Sequence, residues 1–231
     1  MKPVLSQVSK LDNVKSFDLP LSTCQDRCMY FDVRKEVRKL TRKKIKGSCY
    51  TKNNPRLRFK KKVLKFIRNL KLIRSNRFVK VLTKEILKDN CRKFRFFSSG
   101  QVENLEQLIK VLQVCKICHM VNFAIMVNSD IILCQLIQSG YKIPKNANLL
   151  LSNYEPNKKT PEFMKNYLIE SNIGVTQTTL KNKLATCEAS KVKNGTCGTC
   201  EKCYYNKDIW FKIHGRYNEK RVLDLDYNNY K

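Results

Sequence analysis

The chain has 231 residues, 42% of them apolar, which excludes a wholly disordered basic tail because such a composition supplies enough apolar surface for a core. It contains no run of eighteen apolar residues and begins without an apolar stretch of the signal-peptide kind, so we expect neither a membrane-spanning helix nor a secreted protein. The eleven cysteines are therefore expected to be reduced thiols and metal ligands in an intracellular protein.

The net charge of +28 is concentrated in one part of the chain. Residues 34–93 contain twenty-four Lys and Arg against three acidic residues, a net of +21. Such a block attracts a polyanion, and binding through phosphate contacts weakens as the salt concentration rises. Solvated helix faces are the alternative, but they do not account for the asymmetry. The charge distribution therefore predicts contact with nucleic acid.

The sequence divides into three parts. Residues 1–55 form an N-terminal cysteine segment with a basic insertion, and its first twenty residues are predicted to end in a short extended stretch at Pro20. Residues 56–180 form an α/β core with basic helices. Residues 181–231 form a C-terminal metal-binding cysteine segment with a loose polar tail.

Two amphipathic helices with basic outer faces open the predicted core. Apolar residues recur at steps of three and four over residues 56–73, after the helix-start signal of Pro55. Ser75 and Asn76 predict the N-cap of a second helix that ends near residue 88. The residues predicted to contact nucleic acid lie on the first helix or, for Arg74, directly after it: Arg56, Arg58, Lys60, Lys61, Lys62, Lys65, Arg68, Lys71 and Arg74.

Strands and helices then alternate along the core. Strands are predicted at 94–97, 122–127, 148–152 and 175–179, and helices at 103–115, at 130–139 before Gly140, and from Thr160 onward. Strand–helix–strand units with short connections imply right-handed parallel crossovers. The predicted fold class is therefore α/β, with three or four parallel strands.

The strongest local motif is a four-cysteine cluster, Cys187, Cys197, Cys200 and Cys203. Two overlapping C-x2-C steps let a tight turn aim several sulfurs at one point, and Gly198 lets the backbone pass close to a metal. Four thiolates suit tetrahedral zinc or an iron–sulfur cluster, and the spacing does not separate the two. A disulfide is less expected inside a cell. The predicted role is structural.

A second group of cysteines has no such pattern. Cys115 and Cys118 form a lone C-x2-C-H motif with His119 and lack partner ligands, so we expect them to be buried thiols. Cys91 and Cys134 are interpreted in the same way.

Several fragments stand in an order known from one family. Ser16-Phe17-Asp18-Leu19-Pro20 leads to Cys24, Cys28 and Cys49-Tyr50, and a basic helix pair and the turn Ser99-Gly100-Gln101 follow. Further on come Pro144, Asn146, Leu149 and Ser152, then Cys197 to Tyr204 and His214-Gly215. From Ser16 to Gly215 the chain resembles the phage "gene 88" proteins. These iron–sulfur-type proteins of phages and large viruses look like degenerate relatives of radical-SAM enzymes.

The resemblance implies a partial or irregular TIM-like barrel of parallel βαβ units with the C-terminal four-cysteine metal knot. It also implies a 4Fe–4S cluster on Cys24, Cys28 and Cys49, whose open iron S-adenosylmethionine would chelate, with Ser99 and Gly100 at the cofactor site. Ordinary thiols, or zinc, remain the alternative, because Phe31 stands where the compact C-x3-C-x2-C motif has its third cysteine.

Departures from the family pattern bear on catalysis. Phe97 stands where the family has a His, and Gln101 replaces the family's acidic residue. The mostly apolar residues 123–128 replace the family's polar strand end. Because parallel α/β barrels place their chemistry at the carboxyl ends of strands, these losses predict altered or absent catalysis.

Two functions stay open at this point. The first is a radical-SAM-like iron–sulfur protein that acts on a nucleic acid or nucleotide. The second is a non-catalytic zinc-binding basic subunit of a nucleoprotein assembly, such as a polymerase, ribosome or virion. Both imply an intracellular location, in the host cytoplasm if the protein is viral.

Overall fold

The computed structural model describes residues 3–7, 14–20, 23, 60–152, 162–179, 202–205 and 208–212, and they form an α/β fold. The elements in chain order are β1 (Ser6–Gln7), β2 (Lys15–Phe17), α1 (Lys60–Ile73), α2 (Phe78–Lys88), β3 (Lys93–Phe96), α3 (Leu105–Ile117), β4 (Asn122–Val127), α4 (Asp130–Gln138), β5 (Ala147–Ser152), α5 (Glu162–Glu170), β6 (Gly174–Thr179), α6 (Lys202–Tyr205) and β7 (Asp208–Lys212). Within this part of the chain, no helix has the length and apolar character that a membrane crossing needs.

The strands form one seven-stranded sheet in the order β1-β2-β3-β4-β5-β6-β7. β1 is antiparallel to β2, and the pairings from β2 through β7 are all parallel. Consecutive parallel strands joined by right-handed crossovers place their helices on one face of the sheet. In the described ranges the series is open, with β1 and β7 at its edges. The predicted α/β class with a parallel sheet is confirmed.

The core lies between the helices and one face of this sheet, and six phenylalanines contribute to it: Phe17, Phe78, Phe94, Phe96, Phe97 and Phe123. The ring centroids of Phe17 and Phe78 are 5.3 Å apart, and those of Phe94 and Phe96 are 5.1 Å apart, both pairs meeting edge to face. Such pairs contribute about 0.5–1.5 kcal/mol each beyond the burial of their area. Side chains alternate along a strand, so Arg95, between Phe94 and Phe96, belongs to the opposite face.

Polar side chains and a glycine mark the ends of α3 and α4. Side chains cap α3 and α4, since Asn104 accepts from the backbone N–H of Gln107 at 3.0 Å and Ser129 accepts from that of Ile132 at 3.3 Å. Gly140, with φ of +67°, follows α4 as predicted.

The predicted cap of the second helix is wrong. The N-cap of α2 is Arg77, which makes no side-chain capping bond. The Ser75 hydroxyl instead donates to the Leu72 carbonyl at 2.7 Å, so it serves the last turn of α1. α1 itself is described from Lys60, and residues 56–59 of the predicted helix lie outside the described residues.

Two parallel strands, β2 and β7, exceed the three or four that the sequence indicated, and β1 adds an antiparallel strand. β2 forms from the segment predicted only as extended, and β7 follows the cysteine cluster. β2 is three residues long and includes polar Ser16, so its own pattern is too short to show a period. Parallel pairing to β3 and β6 is what identifies these strands.

Asn146 secures the turn between α3 and β4. Its Nδ2 atom lies within hydrogen-bond distance of three carbonyl oxygens, at 2.9 Å from Cys115, 3.1 Å from Cys118 and 2.8 Å from Val121. The last carbonyls of a helix have no partner inside the helix and need one from elsewhere. Because Asn146 immediately precedes β5, it holds α3, β4 and β5 together.

We expect Asn146→Ala to lower the free energy of unfolding by about 1–3 kcal/mol, because carbonyl groups of the turn lose their donor. Urea unfolding measures the change. The control is Asn76→Ala, at an exposed position in the turn between α1 and α2. A loss no larger than that of the control would contradict the bridging role of Asn146.

Candidate functional site at the carboxyl ends of β2 and β3

The candidate site lies where β2 and β3 end side by side. β2 continues into residues 18–20, and β3 continues into residues 97–101. Two backbone hydrogen bonds join the segments, from Leu19 N–H to the Ser99 carbonyl at 2.9 Å and from Phe97 N–H to the Phe17 carbonyl at 3.0 Å. Ligands of parallel α/β sheets bind beyond the carboxyl ends of the strands, so this edge is where a site is expected.

Gly100 allows the two segments to approach. Its φ is +69°, and a Cβ atom placed on it would lie 2.5 Å from the Leu19 carbonyl oxygen. That oxygen belongs to the backbone and cannot swing aside as a flexible side chain would. Gly100 therefore has a packing role that does not depend on a cofactor.

We expect Gly100→Ala to lower the free energy of unfolding by about 2–5 kcal/mol, through left-handed backbone strain together with the overlap at Leu19. Gly140→Ala is a matched control, because Gly140 has φ of +67° but no atom within 4 Å of the added Cβ. The control should show the strain alone, about 1–2 kcal/mol. Equal losses in urea unfolding would show that the approach to Leu19 is not tight.

Thr23 joins this edge to the start of the cysteine segment. Its hydroxyl donates to the Pro20 carbonyl at 2.7 Å and accepts from the Gln101 N–H at 3.0 Å. Thr23 is buried, and Cys24 is the next residue. Cys24, Cys28 and Cys49 themselves lie outside the described residues. Thr23, the residue before Cys24, thus lies beside the Ser99–Gln101 turn.

Asp18 is an ionisable group buried at the same edge. It is 3% exposed, and its Oδ2 accepts a hydrogen bond from the Ser16 hydroxyl at 2.8 Å. Burial raises the pKa of the Asp18 carboxyl, while the Ser16 hydrogen bond and the positive charge of Arg95 oppose that shift. Its backbone carbonyl accepts from the Asn69 amide at 3.0 Å, which ties the site to α1.

Three buried oxygens at this edge have no hydrogen-bond partner among the described residues. They are Asp18 Oδ1, Ser99 Oγ and Gln101 Oε1. A buried polar atom left without a partner costs about 1–3 kcal/mol. A bound group that carries N–H or O–H donors would remove that cost.

The raised pKa of Asp18 gives stability a pH dependence of known sign. The folded protein keeps the Asp18 proton at pH values where the unfolded chain has released it, so the free energy of unfolding falls as pH rises from about 3.9 through the raised pKa. The fall is about 1.4 kcal/mol for each pH unit by which the pKa is raised.

We expect Asp18→Asn to remove this fall, because asparagine does not titrate and can still accept the Ser16 hydrogen bond. Urea unfolding at pH 4 and pH 7 measures the difference for each protein. Glu106→Gln, which replaces an exposed carboxylate on α3, is the control. The same pH dependence in Asp18→Asn and in the parent protein would show that Asp18 is not buried as a protonated acid.

The C-terminal cysteines lie at the other end of the sheet as far as they are described. Cys203 is half-buried in α6, and its carbonyl accepts from the Asn148 amide at 2.9 Å. Asn122, the first residue of β4, donates to the Tyr205 hydroxyl at 2.9 Å. Cys203 packs against Met126, Leu150 and Ile209, on the sheet face opposite the phenylalanines. Cys187, Cys197 and Cys200 lie outside the described residues.

The structure confirms that the lone C-x2-C-H motif is a pair of core thiols. Cys115 and Cys118 are buried, and burial raises the pKa of both thiols, which keeps them protonated. Cys91 and Cys134 are half-buried against the same core. In the described ranges no three acidic, cysteine or histidine side chains are placed to hold a metal.

The predicted nucleic-acid residues on α1 have different environments. Arg68 and Lys71 are exposed. Arg74 makes two hydrogen bonds to the Glu103 carboxylate, at 2.9 Å and 2.6 Å, and these hold the pKa of that carboxyl below its usual value. Lys65 donates to the Leu5 carbonyl. Lys60, Lys61 and Lys62 lie within α1, whereas Arg56 and Arg58 lie outside the described residues.

Ser99 and Gly100 were predicted from the sequence to belong to this edge, but Asp18 and Thr23 were not. The available signal was that residues 16–20 place polar side chains next to an apolar Phe17 before a cysteine. The side chain of Gln101 departs from the family pattern, yet its backbone N–H donates to the Thr23 hydroxyl. Comparisons with protein-family models, with curated proteins and with solved structures found no match for this chain.

Proposed function

We propose that this chain is a metal- or iron–sulfur-binding α/β protein, resembling the degenerate radical-SAM enzymes of the phage gene 88 type, that contacts nucleic acid through its basic helices. The observation that carries the proposal is the bond from Gln101 N–H to Thr23 Oγ1. This bond places Thr23, the residue before Cys24, at the carboxyl ends of the parallel strands β2 and β3. That end is where α/β barrels hold cofactors and substrates.

Residues at this edge fit the cofactor that the resemblance implies. Cys24, Cys28 and Cys49 would hold three irons of a 4Fe–4S cluster, and S-adenosylmethionine bound at the open iron would supply radical chemistry. Its ammonium and hydroxyl groups are donors, and the unpartnered oxygens of Asp18, Ser99 and Gln101 are acceptors. The chain's own part is to orient the bound molecule and exclude water.

A partial TIM-like barrel is the architecture we propose for the whole chain. The strand order follows the chain order, as it does in a barrel of βαβ units, and the helices pack on one face. The C-terminal metal knot of Cys187, Cys197, Cys200 and Cys203 would then close the other end. The bond from Asn148 to Cys203 favours this placement.

The alternative is a non-catalytic zinc-binding subunit of an intracellular nucleoprotein assembly. One observation favours it: Phe97, at the position of the family's histidine, is 4% exposed and packs in the aromatic core with φ of +63°. A phenyl ring there can neither transfer a proton nor form the hydrogen bonds that a histidine would. The scaffold and its metals would then serve assembly alone.

Metal analysis of protein purified without oxygen separates the two functions. We expect iron and acid-labile sulfide that disappear when Cys24, Cys28 and Cys49 are all changed to Ser. Changing Cys187, Cys197 and Cys200 to Ser should remove only the metal of the C-terminal site. Cys134→Ser, at a half-buried thiol of α4 outside both sites, is the control and should leave all metals in place.

One outcome contradicts the enzyme-like function outright. Zinc at one per chain, with no iron and no deoxyadenosine released from S-adenosylmethionine, would leave the non-catalytic subunit as the function. Iron and sulfide without deoxyadenosine release would keep the cluster and exclude the radical chemistry.

A further inference from the structure

The outer face of α2 carries a row of like charges that is not among the residues predicted to contact nucleic acid. Lys80, Lys84 and Lys88 are all exposed and stand one helical turn apart. A rise of about 1.5 Å per residue places their Cα atoms about 6 Å apart along one face. The buried residues Phe78 and Leu82 lie on the opposite side of the helix.

This row is unfavourable for the helix itself. Like charges four residues apart destabilise a helix by about 0.2–0.5 kcal/mol per pair. The first turn of α2 holds no acidic residue. An acidic side chain there would have stabilised the helix through its dipole. A local arrangement that costs stability is expected where a function maintains it.

Two acidic residues, Glu85 and Asp89, lie near the row. Asp89, at the end of α2, forms an ion pair with Lys15 of β2. Glu85 is half-buried, in contrast to the exposed lysines. Arg68 and Lys71 of α1 are also exposed, so both helices present basic side chains to solvent.

The apolar residues on these two helices indicate which form of nucleic acid fits. The exposed large apolar side chains there are the aliphatic Leu64, Ile67 and Leu87. Phe66 and Phe78, the aromatic residues of α1 and α2, are buried. Single-strand binding relies on exposed aromatic rings that stack on bases, whereas duplex backbones are bound by charge alone.

We propose that Lys80, Lys84 and Lys88 form a phosphate-contacting surface for double-stranded nucleic acid. This assignment rests on the nucleic-acid contact of the proposed function and moves its centre from α1 to α2. Recognition is of the backbone and is independent of base sequence.

The test is fluorescence anisotropy of a labelled duplex of mixed sequence, titrated with the full chain over a range of salt concentrations. The variant carries Lys80→Gln, Lys84→Gln and Lys88→Gln. The matched control carries Lys116→Gln, Lys142→Gln and Lys145→Gln, three exposed lysines elsewhere on the surface that give the same change in net charge.

Loss of three phosphate contacts should reduce the slope of log affinity against log salt by about 2.7, since each contact contributes about 0.9. The control should keep the slope of the parent protein. Thermal unfolding should show the α2 variant at least as stable as the parent, because repulsion along the row is relieved.

Each contrary result has its own meaning. A parent protein that shows no salt-dependent binding to the duplex overturns the nucleic-acid contact itself. Equal slopes for the two variants overturn the α2 surface while leaving that contact in place. Tighter binding to the separated single strand than to the duplex overturns the choice of a double-stranded partner.

Discussion

Burial of the phenylalanine rings between sheet and helices is the constraint on which the rest of this structure depends. Phe17, Phe94 and Phe123 stand on three neighbouring parallel strands, and each is inaccessible to solvent. Burying a side chain of this size contributes about 1.5–3 kcal/mol. Because strand side chains alternate, the same choice of face places Ser16 and Arg95 on the other side. The position of the apolar core thus determines which sheet face carries these polar side chains.

The candidate site depends on the close approach of two backbone segments at the carboxyl ends of β2 and β3. Residues 17–20 and Thr23 are far from residues 97–101 in the chain, yet two backbone hydrogen bonds and the bond from Gln101 N–H to Thr23 join them. Gly100 is needed for that distance, and Asp18 is enclosed as a result. Enclosure is also what raises the pKa of the Asp18 carboxyl. The close approach of the two segments therefore accounts both for the hydrogen bonds at this edge and for the raised pKa of Asp18.

Three features lie in different parts of the structure: the exposed basic residues of α1 and α2, Cys203 and the buried Asp18. Basic residues occupy the outer faces of α1 and α2, away from the sheet. Cys203 lies against the opposite sheet face towards the amino ends of β4 and β5, and Thr23 lies at the carboxyl ends of β2 and β3. A polyanion on the helices would thus meet a different surface from a ligand at the sheet edge. The proposed cofactor site and the proposed nucleic-acid surface are therefore separable by substitution.

The sequence by itself determined the α/β class, the positions of α1 to α4 and β3 to β6, and the burial of Cys115 and Cys118, because each depends on local periodicity or on apolar character. It also located the basic block. Tertiary structure alone decided that β2 and β7 are strands, that Ser75 serves α1, and that Asp18 and Thr23 meet the Ser99–Gln101 turn. Those features depend on partners far away in the chain, and the short segments themselves contain no pattern that predicts these partners.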